Sequence, residues 1–225
     1  MIPPQKKWIE VDRYINGHLA PHDAPLDAAV AANSAADLPA IDVTPNQGKL
    51  LYLLAQLVGA KRILEIGTLG GYSTIWMARA LPKGGRLITL ELMPKHADVA
   101  QANLERAGVA HRVEIRVGKA LDLLKKMGKE GVKPFDLVFI DADKANGPAY
   151  LKWALDHTHK GSLIIVDNVV RDGEIVNARS ADPDIRGSRR VFEMMAAEPR
   201  LTATALQTVG SKGYDGLAIA LVTGK

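Results

Sequence analysis

The 225-residue chain has no cysteine. That absence removes disulfides, thiolate zinc sites and cysteine nucleophiles together. Aromatic side chains make up only 5% of it, and no lysine- or arginine-rich block has aromatics interleaved. A nucleic-acid footprint would need such a patch, so the net charge of +4 reads as solvated surface. No apolar run approaches the ~20 residues of a membrane span. The leading residues Met1-Ile2-Pro3-Pro4-Gln5-Lys6-Lys7 lack a signal-peptide core. The expectation is a cytoplasmic protein that partners neither membrane nor nucleic acid. Internal repeats and low-complexity linkers are missing too.

What remains is an ordinary globular balance, with 47% hydrophobic and 24% charged residues. The length fits one α/β domain with appendages. The organising stretch is Arg62-Ile63-Leu64-Glu65-Ile66-Gly67-Thr68-Leu69-Gly70-Gly71-Tyr72-Ser73. An apolar branched run, then glycines, then helical character predict a buried parallel strand, a tight turn and a helix start. Gly67 and Gly70-Gly71 are expected to permit close ligand approach, and in open α/β sheets ligands sit beyond the carboxyl ends of the strands. A dinucleotide fingerprint would need a second glycine where this chain has Leu69. Glu65 is a poor neighbour for a phosphate and a good one for a cation. The pattern Glu-x-Gly-x-x-x-Gly therefore suits S-adenosylmethionine, which carries an ammonium and a sulfonium, better than NAD.

Before this stretch, residues 5–19 carry Trp8, Val11, Ile15 and Leu19 at helical spacing, and residues 25–36 form a second, alanine-rich helix with Pro25 in its first turn. Residues 1–42 are expected to be a lid, a dimer contact or both, leaving 43–225 as the main domain. His18 and His22 are not expected to share a metal, because Pro21 interrupts the helix face. Thr44 before Pro45 reads as a helix cap, in a turn that also lies against the cofactor; the helix it leads into is placed at 50–58.

After the first strand, Arg86-Leu87-Ile88-Thr89-Leu90-Glu91 is a second strand ending in an acid. A carboxylate at that tip can accept hydrogen bonds from ribose hydroxyls. A helix over 94–107, a strand over 112–117 and a turn at Gly118-Lys119-Ala120 follow, with Ala120 small enough to leave room for an adenine. The fourth strand, Pro134-Phe135-Asp136-Leu137-Val138-Phe139-Ile140, ends in Asp141-Ala142-Asp143-Lys144. The fifth, Gly161-Ser162-Leu163-Ile164-Ile165-Val166, ends in Asp167-Asn168. Asp141, Asp167 and Asn168 are thus candidate oxygen ligands, suited to Mg²⁺, Mn²⁺ or Ca²⁺ and not to zinc. A polar loop over 169–188 should be a binding loop or hold a short helix. A helix over 189–197 and strands over 201–207 and 217–222 close the chain. The glycine-rich segment 208–216 between those strands suggests a hairpin and one antiparallel edge strand.

Together these motifs resemble the cation-dependent O-methyltransferases, the family of catechol and caffeoyl-coenzyme-A O-methyltransferases. Leu64-Glu65-Ile66-Gly67-Thr68-Leu69-Gly70-Gly71-Tyr72-Ser73 is similar to the family's first cofactor motif, and Phe139-Ile140-Asp141-Ala142-Asp143-Lys144 and Asp167-Asn168-Val169-Val170 to its metal and catalytic motifs. The resemblance runs from about Val43 to Gly216. It implies a Rossmann-like class I methyltransferase fold, a seven-stranded mostly parallel sheet with an antiparallel last strand and helices on both faces. It implies Asp141, Asp167 and Asn168 as metal ligands and Lys144 as catalytic base, with Asp141 beside the reacting atoms as well. Thr44, Glu65, Gly67, Thr68, Ser73, Glu91, Ala120 and Asp141 become cofactor contacts, and a homodimer the expected assembly. Relatives often have a tyrosine shortly after the lysine; here the sequence is Ala145-Asn146-Gly147-Pro148-Ala149-Tyr150.

The implied reaction is methyl transfer from S-adenosylmethionine to a phenolic oxygen of a catechol-like molecule. A phenol of pKa about 10 is a weak nucleophile at neutral pH, which a cation and a lysine base would remedy. Like charge and partial desolvation are expected to bring the Lys144 ammonium towards neutrality. Two other readings stand beside it: an acyl-coenzyme-A ester, flavonoid or polyketide as acceptor, and a non-catalytic cofactor-binding dimer module.

Overall fold

The computed structural model describes residues 4–21 and 23–224; His22 lies outside them. Among the described residues no helix is long and apolar enough to cross a membrane. Three helices lead the chain: α1 (Pro4–Leu19), α2 (Ala24–Ala35) and α3 (Pro45–Leu57). Then β1 (Arg62–Ile66), α4 (Tyr72–Ala80), β2 (Arg86–Glu91), α5 (Pro94–Arg106), β3 (Val113–Val117), α6 (Ala120–Lys129), β4 (Phe135–Ile140), α7 (Gly147–Asp156) and β5 (Thr158–Asp167) alternate. The chain ends with α8 (Pro183–Ala197), β6 (Leu201–Gly210) and β7 (Gly213–Val222).

The seven strands form one sheet in the order β3-β2-β1-β4-β5-β7-β6. Strands β1 to β5 pair in parallel, and β7 runs antiparallel to both its neighbours. Alternate side chains of each central strand enter two different cores. Ile63, Leu137, Phe139 and Ile165 pack with α2, α3 and α4 on one face. Leu64, Val138, Ile140 and Ile164 pack with α6, α7 and α8 on the other. Burial on both faces is why these strands read as continuous apolar runs. Because strand order reverses direction between β1 and β4, a crevice opens beyond their carboxyl ends.

Three helices start the same way, with a capping side chain followed by a proline in the first turn. Asp23 accepts from Leu26 N at 3.1 Å, Thr44 from Gln47 N at 3.3 Å, and Asp182 from Asp184 N at 2.8 Å. The third of these corrects the expected helix at 189–197: α8 begins at Pro183, so the loop after Asn168 is shorter and holds a 3-10 turn over Arg171–Val176. Likewise α3 begins at Pro45 rather than near Leu50.

The hairpin also differs from expectation. Gly210 pairs with Gly213, so only Ser211 and Lys212 turn the chain, and the segment thought to be a loop is strand. The antiparallel strand β7 sits inside the sheet, between β5 and β6, and β6 is the edge. Leu217, Ala218 and Ala220 of β7 are buried, as an interior position demands.

Candidate active site

A cleft of about 1330 Å³ lies across the carboxyl ends of β1, β2 and β4. That exceeds the ~300–1,000 Å³ of a pocket for one small ligand, so two molecules have room side by side. Gly67, Thr68, Ser73, Glu91, Ala120, Asp141, Lys144 and Asn168 line it. Three other candidates stand behind or beside the wall: Glu65, Thr44 and Asp167.

The turn after β1 has Gly67 at φ 99, Leu69 at φ 50 and Gly71 at φ 83. Packing supplies a reason for these glycines that is separate from the ligand approach expected of them. A Cβ on Gly67 would collide with the carbonyl oxygen of Asp141, and one on Gly70 with the carboxamide of Asn33. Gly67 thus lets β1 and β4 close up at their tips, where Asp141 N donates to Ile66 O at 2.8 Å. Gly67→Ala should therefore destabilise the domain by at least ~1–3 kcal/mol from its φ alone, measurable by denaturant unfolding. A variant of wild-type stability would mean that the turn relaxes out of this conformation and that the β4 tip moves away with it.

Asn33 and Asn103 form a buried link that the sequence did not reveal. Asn103 Nδ2 donates to Gly70 O at 2.8 Å and to Asn33 Oδ1 at 3.1 Å, and Asn33 Nδ2 donates to Asp42 Oδ1 at 2.8 Å. Helices α2 and α5 thereby hold the glycine turn and the segment 39–43 in one piece.

Glu91 is a bracket for the same turn. Its Oε2 accepts from Leu69 N at 2.8 Å and Thr68 N at 3.2 Å, and its Oε1 from Met93 N at 2.9 Å. His96 Nδ1 lies 3.4 Å from Oε1. Thr68 Oγ1 meets Thr89 Oγ1 beneath the turn. Ala120 opens α6 two residues after Gly118, whose N–H donates to Glu91 O at 2.8 Å.

Glu65 is fully buried and reaches the cleft only through Ser73, whose Oγ donates to Oε1 at 2.6 Å; Thr74 Oγ1 donates to the other oxygen. Burial pushes its carboxyl up to about 7, with the Asp141 charge adding to the rise and the hydroxyl donors opposing it. Between pH 4.5 and about 7 the folded protein holds a proton here that the unfolded chain has lost. Stability should fall as pH rises through that window, and Glu65→Gln should flatten the fall by about 3 kcal/mol. Melts at low and high pH test this: equal pH slopes for both proteins would sink it.

At the β4 tip Lys144 is buried, and its Nζ donates to Asp141 Oδ1 at 3.1 Å. Asp143 caps the 3-10 turn that carries Lys144, accepting from Asn146 N at 3.2 Å and from Tyr150 Oη at 2.6 Å. Burial, then the Asp143 carboxylate, raises the Tyr150 phenol. One strand over, Asp167 is 5% exposed. Its Oδ1 accepts from Asn168 N at 2.8 Å and its Oδ2 from Gln47 Nε2. Burial raises Asp167 to about 7, the Asp141 charge adds to it, and Lys144 opposes. Asn168 has φ 51, a left-handed conformation that asparagine tolerates, and it faces the cleft.

Adjacent strands β4 and β5 thus bring Asp141, Lys144, Asp167 and Asn168 to one end of the cleft. Among the described residues no group of three or more histidines or carboxylates assembles into a metal centre; the set here is two carboxylates and a carboxamide. Thr44 caps α3, and its neighbour Val43 is the one on the cleft wall. His18 contacts Tyr14 O at 2.8 Å on α1, away from the cleft. Sequence reasoning missed Gln47, Arg171 and Lys212. Gln47 stands three residues after a threonine cap, where a glutamine reads as a capping box, and its reach to Asp167 leaves no local signal.

A family model described as O-methyltransferase matches residues 23–221. The catechol O-methyltransferase of Niastella koreensis is 55% identical over 212 residues, 94% of this chain and 96% of that one. That of Mycobacterium tuberculosis is 54% identical over 213 residues, 95% of each chain. Among solved structures, the O-methyltransferase from Bacillus cereus in complex with SAH superposes with a TM-score of 0.96 at 56% identity, covering 97% of this chain and 99% of that one. TomG from Streptomyces achromogenes, involved in tomaymycin synthesis and in complex with SAM, gives 0.96 at 48% identity over 99% of this chain and all of its own.

Proposed function

The chain belongs to the O-methyltransferase family, and from that premise we propose that it methylates a phenolic hydroxyl of a catechol-like small molecule from S-adenosylmethionine. The observation that carries this reading is the meeting of Lys144, Asp141 and Asn168 with the Gly67–Glu91 bracket on the wall of a single cleft.

The donor set fits a divalent cation: all three groups offer hard oxygens, and the repulsion between Asp141 and Asp167 is one that such an ion relieves. Asp141, Asp167 and Asn168 would hold it, with Mg²⁺, Mn²⁺ or Ca²⁺ all compatible, and bound there it would favour the ionised form of a catechol hydroxyl. Glu91 accepts from the ribose hydroxyls of the methyl donor while its other lone pairs hold the turn. The turn residues Gly67 and Thr68, with Ser73 at the start of α4, flank the methionine part, and Ala120 borders the adenine. Thr44 fixes the start of α3, and so places Val43 and Gln47. Lys144 takes the acceptor's proton onto Nζ, and Asp141 fixes where that atom sits. What the protein then contributes is alignment of oxygen, methyl carbon and sulfur.

The expected lid over residues 1–42 is part of the proposal as well, tied through Asn33 to Asn103 and the glycine turn. A homodimer is part of the proposal, supported by exposed Leu53 and Leu57 on one face of α3; sedimentation of the protein, and of Leu57→Glu, tests it, and a monomer in both would refute it.

The deciding experiment is methyl transfer from S-adenosylmethionine to a panel of phenols, with and without a chelator. Methylation of catechols that chelation abolishes is the expected outcome; turnover untouched by chelation would remove the cation from the reading.

A further inference from the structure

The cleft carries more positive charge than the chemistry above employs. Lys144, Arg171 and Lys212 all line it. Lys144 is paired with Asp141. Lys212, on the β6–β7 turn, donates to the carbonyl oxygens of Ala40 and Asp42. Arg171 has neither kind of partner. Its Nε is buried with no hydrogen-bond acceptor, and among the described residues its guanidinium has no ion pair.

A buried charged donor without an acceptor costs free energy, and the backbone holds it there at further cost. Arg171 has φ 56 and is followed by Asp172 at φ 53 and Gly173 at φ 88. Asp215 fixes this strained bend: its Oδ1 accepts from Val170 N at 3.0 Å, Arg171 N at 2.9 Å and Gly216 N at 2.9 Å. Strain that the surroundings maintain points to use. The bend leaves β5 only three residues beyond Asn168, so a group reaching Arg171 belongs to the same small molecule whose hydroxyls lie by Asn168.

We propose that Arg171, with Lys212 beside it, recognises a carboxylate on the acceptor, so that the preferred substrate is a catechol acid and not a neutral or amine-bearing catechol. The inference rests on the catechol reading above. A planar guanidinium matches a carboxylate through two parallel hydrogen bonds. A coenzyme-A ester offers phosphates to the same cations. The cleft wall, however, also carries Asp42, Asp143 and Asp184, which would repel a polyphosphate more than a single carboxylate.

The test compares 3,4-dihydroxybenzoate, its methyl ester, 3,4-dihydroxybenzylamine and the coenzyme-A thioester of 3,4-dihydroxycinnamate as acceptors for the full-length protein. The acid should exceed the ester in kcat/KM by about 10- to 100-fold, the value of a charge-assisted pair. Arg171→Gln should bring the acid-to-ester ratio close to one, and Lys212→Gln should lower it less. Lys129→Gln, the same charge change on α6, should leave the ratio alone. Equal losses for acid and ester in Arg171→Gln, or an ester, amine or thioester preferred by the wild type, would overturn the proposal. Calorimetry of the acid and ester in the presence of S-adenosylhomocysteine and Mg²⁺ reads the same preference without turnover. If no catechol is methylated the catalytic reading fails, and the binding ratio alone then decides for or against Arg171.

Discussion

Lys144→Met should lower kcat by about two to four orders of magnitude, the usual contribution of a positioned general base, while affinity for S-adenosylmethionine changes little. The reasoning is geometric. Lys144 is buried at the β4 tip, held 3.1 Å from Asp141, and its 3-10 turn is capped by Asp143 and packed under α8. A Cβ on Gly187 of α8 would collide with the Lys144 carbonyl oxygen, so the turn has no freedom to carry the amine elsewhere. Methionine keeps the length and loses the proton acceptor. Single-turnover kinetics read the chemical step, and calorimetry with the methyl donor reads binding. A variant that binds the donor poorly but turns over normally once saturated would make Lys144 a binding residue and not a base.

The second large effect concerns Asp167→Asn, which should abolish cation-dependent turnover yet make the cation-free protein more stable. In the fold Asp167 is buried beside Asp141, and its carboxyl rises from 3.8 to about 7. A carboxyl raised on folding costs nothing below pH 3.8, and its penalty grows until the pH passes about 7. Asparagine removes that charge and keeps the shape. The neighbouring Gln47 amide can turn over to suit it, since either end of that group can face the new side chain. The gain in Tm should therefore be present at pH 8, in chelator, and vanish by about pH 4. Asp141→Ala should lose turnover in the same way while the domain still folds. A variant at 167 that is less stable at high pH would show that Gln47 and Asn168 stabilise the carboxylate more than burial and repulsion penalise it.

Much of the site could be read along the chain because its chemistry sits at strand ends. An apolar run long enough for a strand, stopped by glycine or by an acid, fixes both the element and the residue at its tip. This is how Gly67, Glu91, Asp141, Asp167 and Asn168 can be placed at strand ends without coordinates. The Asp182-Pro183 cap could have been read the same way as Thr44-Pro45, and the expected start at Arg189 overlooked it. At the glycines, by contrast, the position is legible along the chain and the packed neighbour is not. A sequence shows that a Cβ is missing, and only packing shows that the Asp141 backbone and Asn33 fill the place.

By itself, then, the sequence determined the alternating strands and helices, the oxygen donors at adjacent tips and the lysine beside them. These follow from rules acting within a few residues: apolar periodicity, turn chemistry, capping. Tertiary structure alone decided that Gln47 holds Asp167 from 120 residues away, that β7 enters the sheet between β5 and β6, and that Lys212 spans the cleft to Ala40 and Asp42. Such contacts join segments whose separation along the chain leaves no periodic trace, and they are set by how two faces of one sheet bury their side chains.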